Sequence, residues 1–170
     1  MSALPIRIIG LDPGLRRTGW GVIEQTGTRL TYIASGTVLP SEKGEMGARL
    51  AELYRLLTDV LERFTPHEAA VEETFVNVNP ASTLKLGQAR GVVMLVPALM
   101  GLSVAEYAPL LVKKSVVGAG RAEKAQVRMM VSVLLPKAAP SSEDESDALA
   151  IAITHAHHRG AAERAVRAGA

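Results

Sequence analysis

Ile8-Ile9-Gly10-Leu11-Asp12-Pro13-Gly14, continued by Leu15-Arg16-Arg17-Thr18-Gly19-Trp20-Gly21-Val22-Ile23, is the stretch whose reading decides the fold. It reads as a short apolar strand ending on one carboxylate, a Pro-Gly turn, and a return strand carrying Gly19, Trp20 and Gly21. A charge at the end of an apolar strand has to be paired, ligated to a metal or kept at a sheet edge, because an isolated buried carboxylate is too costly. An aspartate before proline also commonly stabilises its own turn. Taken alone, the segment leaves Asp12 open between a site residue and a turn residue.

Outward from this hairpin, Arg29 to Leu39 reads as a third strand closed by Pro40. From Glu45 the residues Met46, Leu50, Leu53, Leu57, Val60, Leu61 and Phe64 fall three and four apart, which predicts an amphipathic helix stopped by Pro66. Ala69-Ala70-Val71-Glu72 is then a short buried strand, again ending on an acid, with the preceding helix as the crossover a parallel neighbour requires. Thr74 to Pro80 has loop composition, with Phe75 either at its tip or folded back onto it. Ala81 to about Leu102 predicts a second helix whose apolar arc is too wide for a monomer surface, so it is a core helix or a dimer interface. Pro97 should kink it or end it early, since an interior proline costs about 3 kcal/mol.

Further on, Leu102 to Tyr107 reads as a strand and Pro109 opens an irregular or helical turn leading to Lys113. Val116 to Gly120 reads as a loop, and Ala122 to about Leu135 as a helix with Lys124 and Arg128 on its polar face. The last helix begins at Ser142 with capping-box spacing to Glu145, and its body, Ala148 to Ile153, is apolar all round and must be buried. The expected organisation is α/β, a single domain over residues 1–157, with a basic tail over 158–170 that is expected to fray.

With 170 residues and 48% apolar composition there is room for one core. The absence of cysteine excludes disulfides, thiolate metal sites and thiol nucleophiles. The longest uncharged apolar run, Gly91 to Leu102, is too short to span a bilayer and contains Pro97, so the expectation is a soluble, cytoplasmic protein with no membrane partner. Net charge is only +2, but its distribution is uneven: Lys113, Lys114, Arg121, Lys124 and Arg128 form a basic flank beside the acidic run Glu143, Asp144, Glu145 and Asp147. Either cluster alone is compatible with a solvated helix face. Together they suit a metal site acting on a polyanion.

Asp144 and Asp147, three apart in a first helical turn, project from nearly the same face. Acids are common at helix starts, but a pair opening a buried helix repels unless a cation lies between. Oxygen donors without sulfur are the ligand set of Mg²⁺ or Mn²⁺. Two strand ends and one helix start could gather Asp12, Glu72, Asp144 and Asp147 around two divalent cations, the arrangement used for in-line phosphodiester hydrolysis. Lys113 and Lys124 are placed to neutralise phosphate oxygens. His155, His157 and His158 lie about two helical turns from Asp147 and are poor candidates for the same ions.

The runs Gly10-Leu11-Asp12-Pro13-Gly14, Val71-Glu72-Glu73-Thr74-Phe75, Leu84-Lys85-Leu86-Gly87-Gln88-Ala89-Arg90-Gly91, Val112-Lys113-Lys114, Ala122-Glu123-Lys124 and Asp147-Ala148-Leu149-Ala150-Ile151-Ala152 resemble, in order and over nearly the whole chain, the RuvC family of bacterial Holliday junction resolvases. The resemblance implies a ribonuclease H-like fold, a five-stranded mixed sheet with helices on both faces. It also implies a homodimer that binds a four-way DNA junction and makes paired nicks using two Mg²⁺ per active site, with Mn²⁺ as a substitute. Asp12, Glu72, Asp144 and Asp147 match the family's metal-binding acids. Phe75 matches an aromatic that contacts an unstacked base, and Lys113 and Lys124 match basic active-site residues. Lys114 and Arg121 are further candidates for DNA contact, and the family's RuvA and RuvB branch-migration proteins are candidate partners.

Two positions depart from the pattern: Pro97 in the expected dimer helix, and Glu145, an extra carboxylate between Asp144 and Asp147. Actin-like ATPases and sugar kinases also open with a strand, an Asp and a Gly turn, but they need a second such lobe, which this chain lacks.

Overall fold

The computed structural model describes residues 4–73 and 78–168, with side chains as far as Ala161. The chain runs β1 (Ile6–Asp12), β2 (Thr18–Thr26), β3 (Arg29–Val38), α1 (Met46–Phe64), β4 (Glu68–Glu72), α2 (Pro80–Leu99), β5 (Ser103–Tyr107), α3 (Pro109–Val117), α4 (Lys124–Leu134) and α5 (Glu143–Ala168). The five strands form one sheet in the order β3-β2-β1-β4-β5. The first three are an antiparallel meander, whereas β4 and β5 lie parallel to β1, so the mixed sheet expected from the sequence is present.

Alternation along the strands divides the core into two layers. Ile9, Leu11, Val22, Ala69 and Val71 pack beneath α1 and α2, while Ile8, Ile23 and Ala70 pack beneath α3, α4 and α5. Residues Ala148 through Ile153 of α5 are all at most 1% exposed, as an all-apolar helix body requires. Each large side chain buried there contributes about 1.5–3 kcal/mol.

Helix α5 sits on the sheet with almost no side chain between. A Cβ on Gly10 would stand 2.1 Å from the Ala148 carbonyl oxygen, and one on Gly21 would stand 2.7 Å from a Leu149 methyl. The two glycines are paired across β1 and β2. They are therefore required by the helix above them rather than by their own backbone angles. On the other face, Gly36 leaves room for the indole of Trp20, which packs against Phe64 of α1 at 5.2 Å between ring centroids.

Two elements differ from the sequence reading. Val116 and Val117 belong to α3, not to a loop: Pro109 occupies its first turn, Val112 and Val116 bury one turn apart, and Gly118 closes it in the left-handed conformation at φ 89°. Pro97 is followed by an early end of α2, as expected, so the helix does not reach Leu102. The helix, opened by Pro80 and capped by the Asn79 side chain, passes through buried Pro97 and ends two residues later at Leu99. Helix α5 continues to Ala168, so the boundary drawn between 157 and 158 falls inside a helix. The segment Thr74–Asn77, including Phe75, lies outside the described residues.

Candidate active site

Strand parity aims the two strand-terminal acids at the same layer. Asp12 shares its side of β1 with Ile8 and Gly10, and Glu72 shares its side of β4 with Ala70, so both face α5. Asp12 is paired across the sheet with Gly19, and a Cβ on Gly19 would lie 2.1 Å from the carbonyl oxygen of Asp144. The first turn of α5 therefore rests on the carboxyl end of β1, and its antiparallel course carries the rest of the helix away. Asp144 and Asp147 arrive beside Asp12 by this packing, and no spacing in the sequence could have shown it.

The electrostatics follow from this gathering. Burial first, then the charges of Asp147, Glu72 and Asp144, push the Asp12 carboxyl up to about 8, with Lys124 partly offsetting them. Glu72 is pushed up to about 7 by burial and then by Asp147, against Lys124 and Lys113. Asp147 is likewise raised, chiefly by burial. Lys124 Nζ stands 3.9 Å from Asp147 Oδ2 and 3.4 Å from Glu143 Oε2, and Asp147 raises its pKa in turn. The acids thus want either protons or a cation.

Among the described residues no three acid or His donors stand in a finished metal-binding geometry. The donor set nevertheless fits a hard divalent cation in kind: all candidate donors are carboxylate oxygens, partly desolvated, and their mutual repulsion is what such an ion would remove.

Glu145, the extra acid, is outside the cluster. Its carboxylate accepts from Ser35 Oγ at 2.8 Å and Ser141 Oγ at 2.5 Å, while its backbone N–H is capped by Ser142 Oγ at 3.2 Å. Lys114 and Arg121 are exposed on α3 and on the turn before α4. His155 lies at the opposite end of the sheet, bonded to Glu68 and to the Tyr107 hydroxyl at 2.8 Å each, while His157 meets Ser115.

Three contributors escaped the sequence reading. Glu143 takes both Lys124 and Arg128 into ion pairs and so brackets the lysine beside Asp147; its i, i+4 spacing to Asp147 was the available signal. Thr18, fully buried, donates to the Gly14 carbonyl at 2.8 Å and closes the turn after Asp12. Arg90 of α2 donates to the Glu72 carbonyl at 3.3 Å and pairs with Glu106, tying α2 to the carboxyl ends of β4 and β5.

A ribonuclease H-like sheet with carboxylates collected at its carboxyl end, under the first turn of the last helix, defines a nuclease of that fold class. A family model described as "Crossover junction endodeoxyribonuclease RuvC" matches residues 8–155. The chain is 76% identical over 165 residues to the protein of that description from Xanthobacter autotrophicus, covering 97% of this chain and 98% of the relative. It is 77% identical over 157 residues to that from Azorhizobium caulinodans, covering 92% and 93%. The structure is similar to Thermus thermophilus RuvC in complex with a Holliday junction substrate, with TM-score 0.86 and 33% identity, covering 92% of this chain and 96% of that one. The chain belongs to the RuvC family.

Proposed function

We propose that this chain resolves four-way DNA junctions by hydrolysing one phosphodiester in each of two strands, in recombination and repair. The observation that carries the reading is the electrostatic cluster of Asp12, Glu72, Asp144 and Asp147 at the carboxyl end of β1 and β4, with Lys124 against it. Those four carboxylates are the residues that would hold two Mg²⁺ ions, with Mn²⁺ as a substitute. Bound there, the ions supply an activated water and a counter-charge for the leaving oxygen. Water oxygen bonds to phosphorus as the P–O3′ bond breaks, leaving a 5′-phosphate and a 3′-hydroxyl that can be rejoined.

The residues around the acids have separate duties. Lys124, held protonated by Asp147 and Glu143, lends positive charge to the phosphate oxygens, and Lys113 does so from α3. Phe75, which follows β4 in the sequence, is the aromatic that would contact a base at the crossover. Lys114 and Arg121 add backbone contacts.

Paired nicks need two active sites, and α2 offers the surface to join them. Leu84, Leu95 and Leu99 are 66%, 49% and 63% exposed on it, which supports a homodimer through that face. Among the described residues no helix is long and apolar enough to cross a membrane. RuvA and RuvB are the expected partners in the bacterial cytoplasm.

The test is Mg²⁺-dependent cleavage of a synthetic four-way junction beside a linear duplex and a flap, with wild type and Asp12→Asn. Paired nicks confined to the junction, lost in the variant while junction binding persists, are expected. Equal cutting of all three substrates would remove junction selectivity from the reading, and binding without cleavage in either metal would remove catalysis.

A further inference from the structure

Two cavities meet at Arg17. One, of about 600 Å³, lies on the α4–α5 side and is lined by Arg128, Ser141, Ser142 and the site residue Asp144. The other, of about 700 Å³, lies on the α1–α2 side and is lined by Gly14, Arg16, Arg49, Ser82 and Lys85. Arg17 lines both. It immediately precedes β2, so the two cavities adjoin beside the turn between β1 and β2 as one groove.

Charge along the groove changes in a definite way. At the α4–α5 end Arg128 is engaged by Glu143 at 3.2 Å, and the acids Glu143 and Asp144 share the wall. At the α1–α2 end four cations, Arg16, Arg17, Arg49 and Lys85, face a single acid, Glu42. The Arg16–Glu42 pair is 4.0 Å long with both side chains well exposed, so it holds Arg16 weakly. No aromatic ring is among the described lining residues, so the groove has nothing to stack a base or a free nucleotide. Cations with hydroxyls along an elongated channel recognise a sugar-phosphate backbone.

We propose that this groove seats the backbone of the strand being cut, leading it from Asp144 at the α4–α5 end toward the cations of the α1–α2 end. Arg17 holds a phosphate where the cavities meet, and Arg49 and Lys85 hold those that follow. The assignment rests on the junction-nuclease reading above and extends it: phosphates beyond the catalytic acids are held along the groove, so the scissile phosphate is positioned by the strand that continues from it. It makes Arg17 a positioning residue, acting through the strand rather than on the reacting atoms.

The experiment measures binding of a labelled four-way junction to the full chain across a salt series, in an Asp12→Asn background so that the DNA stays intact. Arg17→Ala is expected to weaken binding about tenfold and to flatten the slope of log affinity against log salt by about 0.7–0.9, one phosphate contact. The double variant Arg49→Ala/Lys85→Ala should flatten it by about twice that. Arg17→Lys should keep the slope, which a merely structural role would not predict. Arg55→Ala, on the outer face of α1, should behave as the parent. With Asp12 restored, Arg17→Ala should raise KM more than it lowers kcat. Melting temperatures check folding, and the double variant carries the test if Arg17→Ala unfolds.

Slopes and affinities equal to the parent in folded Arg17→Ala and Arg49→Ala/Lys85→Ala would overturn the groove, while wild-type cleavage of the junction in the same preparation keeps the function. If wild type cuts no junction but the variants still lose slope, the groove stands as a nucleic-acid backbone site and the junction reading falls.

Discussion

Glu68 and Glu72 stand at the two ends of the same five-residue strand, on the same face, under the same helix, and their environments are opposite. Glu68 is met by Arg159 and His155 at 2.8 Å each, and these partners hold its carboxyl below the usual range despite the opposing effect of burial. Glu72 is met by other carboxylates and rises to about 7. One end of β4 is electrostatically satisfied and fastens α5 to the sheet. The other is left unsatisfied by protein groups alone. Residue type and spacing are the same at both ends, so the division between structural and functional acid is made by what α5 carries to each: His155 and Arg159 to one, Asp147 to the other.

The comparison breaks most visibly in activity. Asp12→Asn or Glu72→Gln should reduce junction cleavage by about 10³-fold or more, a loss of about 4 kcal/mol in transition-state stabilisation. Glu68→Gln should leave cleavage within a few-fold while costing about 2 kcal/mol of stability, because it strips the buried His155 and the partly buried Arg159 of their charged partner. Single-turnover cleavage and chemical denaturation separate the two outcomes. Loss of cleavage in a fully folded Glu68→Gln would erase the distinction.

Gly19→Ala should uncouple the two ends. Its methyl has no space against the Asp144 backbone, so we expect about 3 kcal/mol of destabilisation and a displaced acid cluster. The pairing of His155 with Glu68 should persist, seen by NMR as an unchanged hydrogen bond from the His155 ring to Glu68 alongside weakened Mn²⁺ binding.

Titration sharpens the contrast through its sign. Asp12 and Glu72 have folded pKa values near 8 and 7, above their ordinary 3.8 and 4.5. Their contribution to stability is therefore complete below about pH 4 and is lost as pH rises through 7 to 8. Glu68 is lowered, so its contribution is present above its ordinary 4.5 and is lost as pH falls through the folded value. In chelator, the melting temperature should fall between pH 5.5 and 8.5. Asp12→Asn should flatten that fall and raise stability by about 2 kcal/mol at pH 8. Mg²⁺ should stabilise wild type increasingly as pH rises, since it competes with protons for the same oxygens.

The smallest effect belongs to Glu145. Glu145→Gln should cost about 1 kcal/mol by weakening its bonds to Ser35 and Ser141, and should leave the Mg²⁺ concentration for half-maximal cleavage unchanged. A shifted metal requirement would return Glu145 to the cluster.

Much of this architecture was legible before folding was considered. The β1–β2 hairpin, the α1 face, the strand ending at Glu72 and the buried body of α5 all announce themselves by period, turn residues and caps, which are local properties. The readings that failed also have local causes. Val116 and Val117 looked like a loop because Gly118 and Gly120 follow them, yet Val112 and Val116 are drawn into the core one helical turn apart. Pro97, by contrast, does precede an early end of α2, at Leu99, and in that last turn it displaces only one hydrogen bond. Glu145 reads locally as a capping acid, and nothing in the linear order shows Ser35 reaching it from β3.

By itself, then, the order of residues determined which acids end strands, which pair opens a buried helix, and through its motifs the family. Tertiary structure alone decided that they share a site. Asp12, Glu72 and Asp147 are joined only because Gly10, Gly19 and Gly21 let the α5 backbone lie directly on the sheet, and because α5 runs antiparallel to β1 and β4. It also decided which glutamate of β4 is paired and which is not. Covalent order sets periodicity and local caps, whereas the charge felt by a carboxylate depends on distances between elements that only packing brings together.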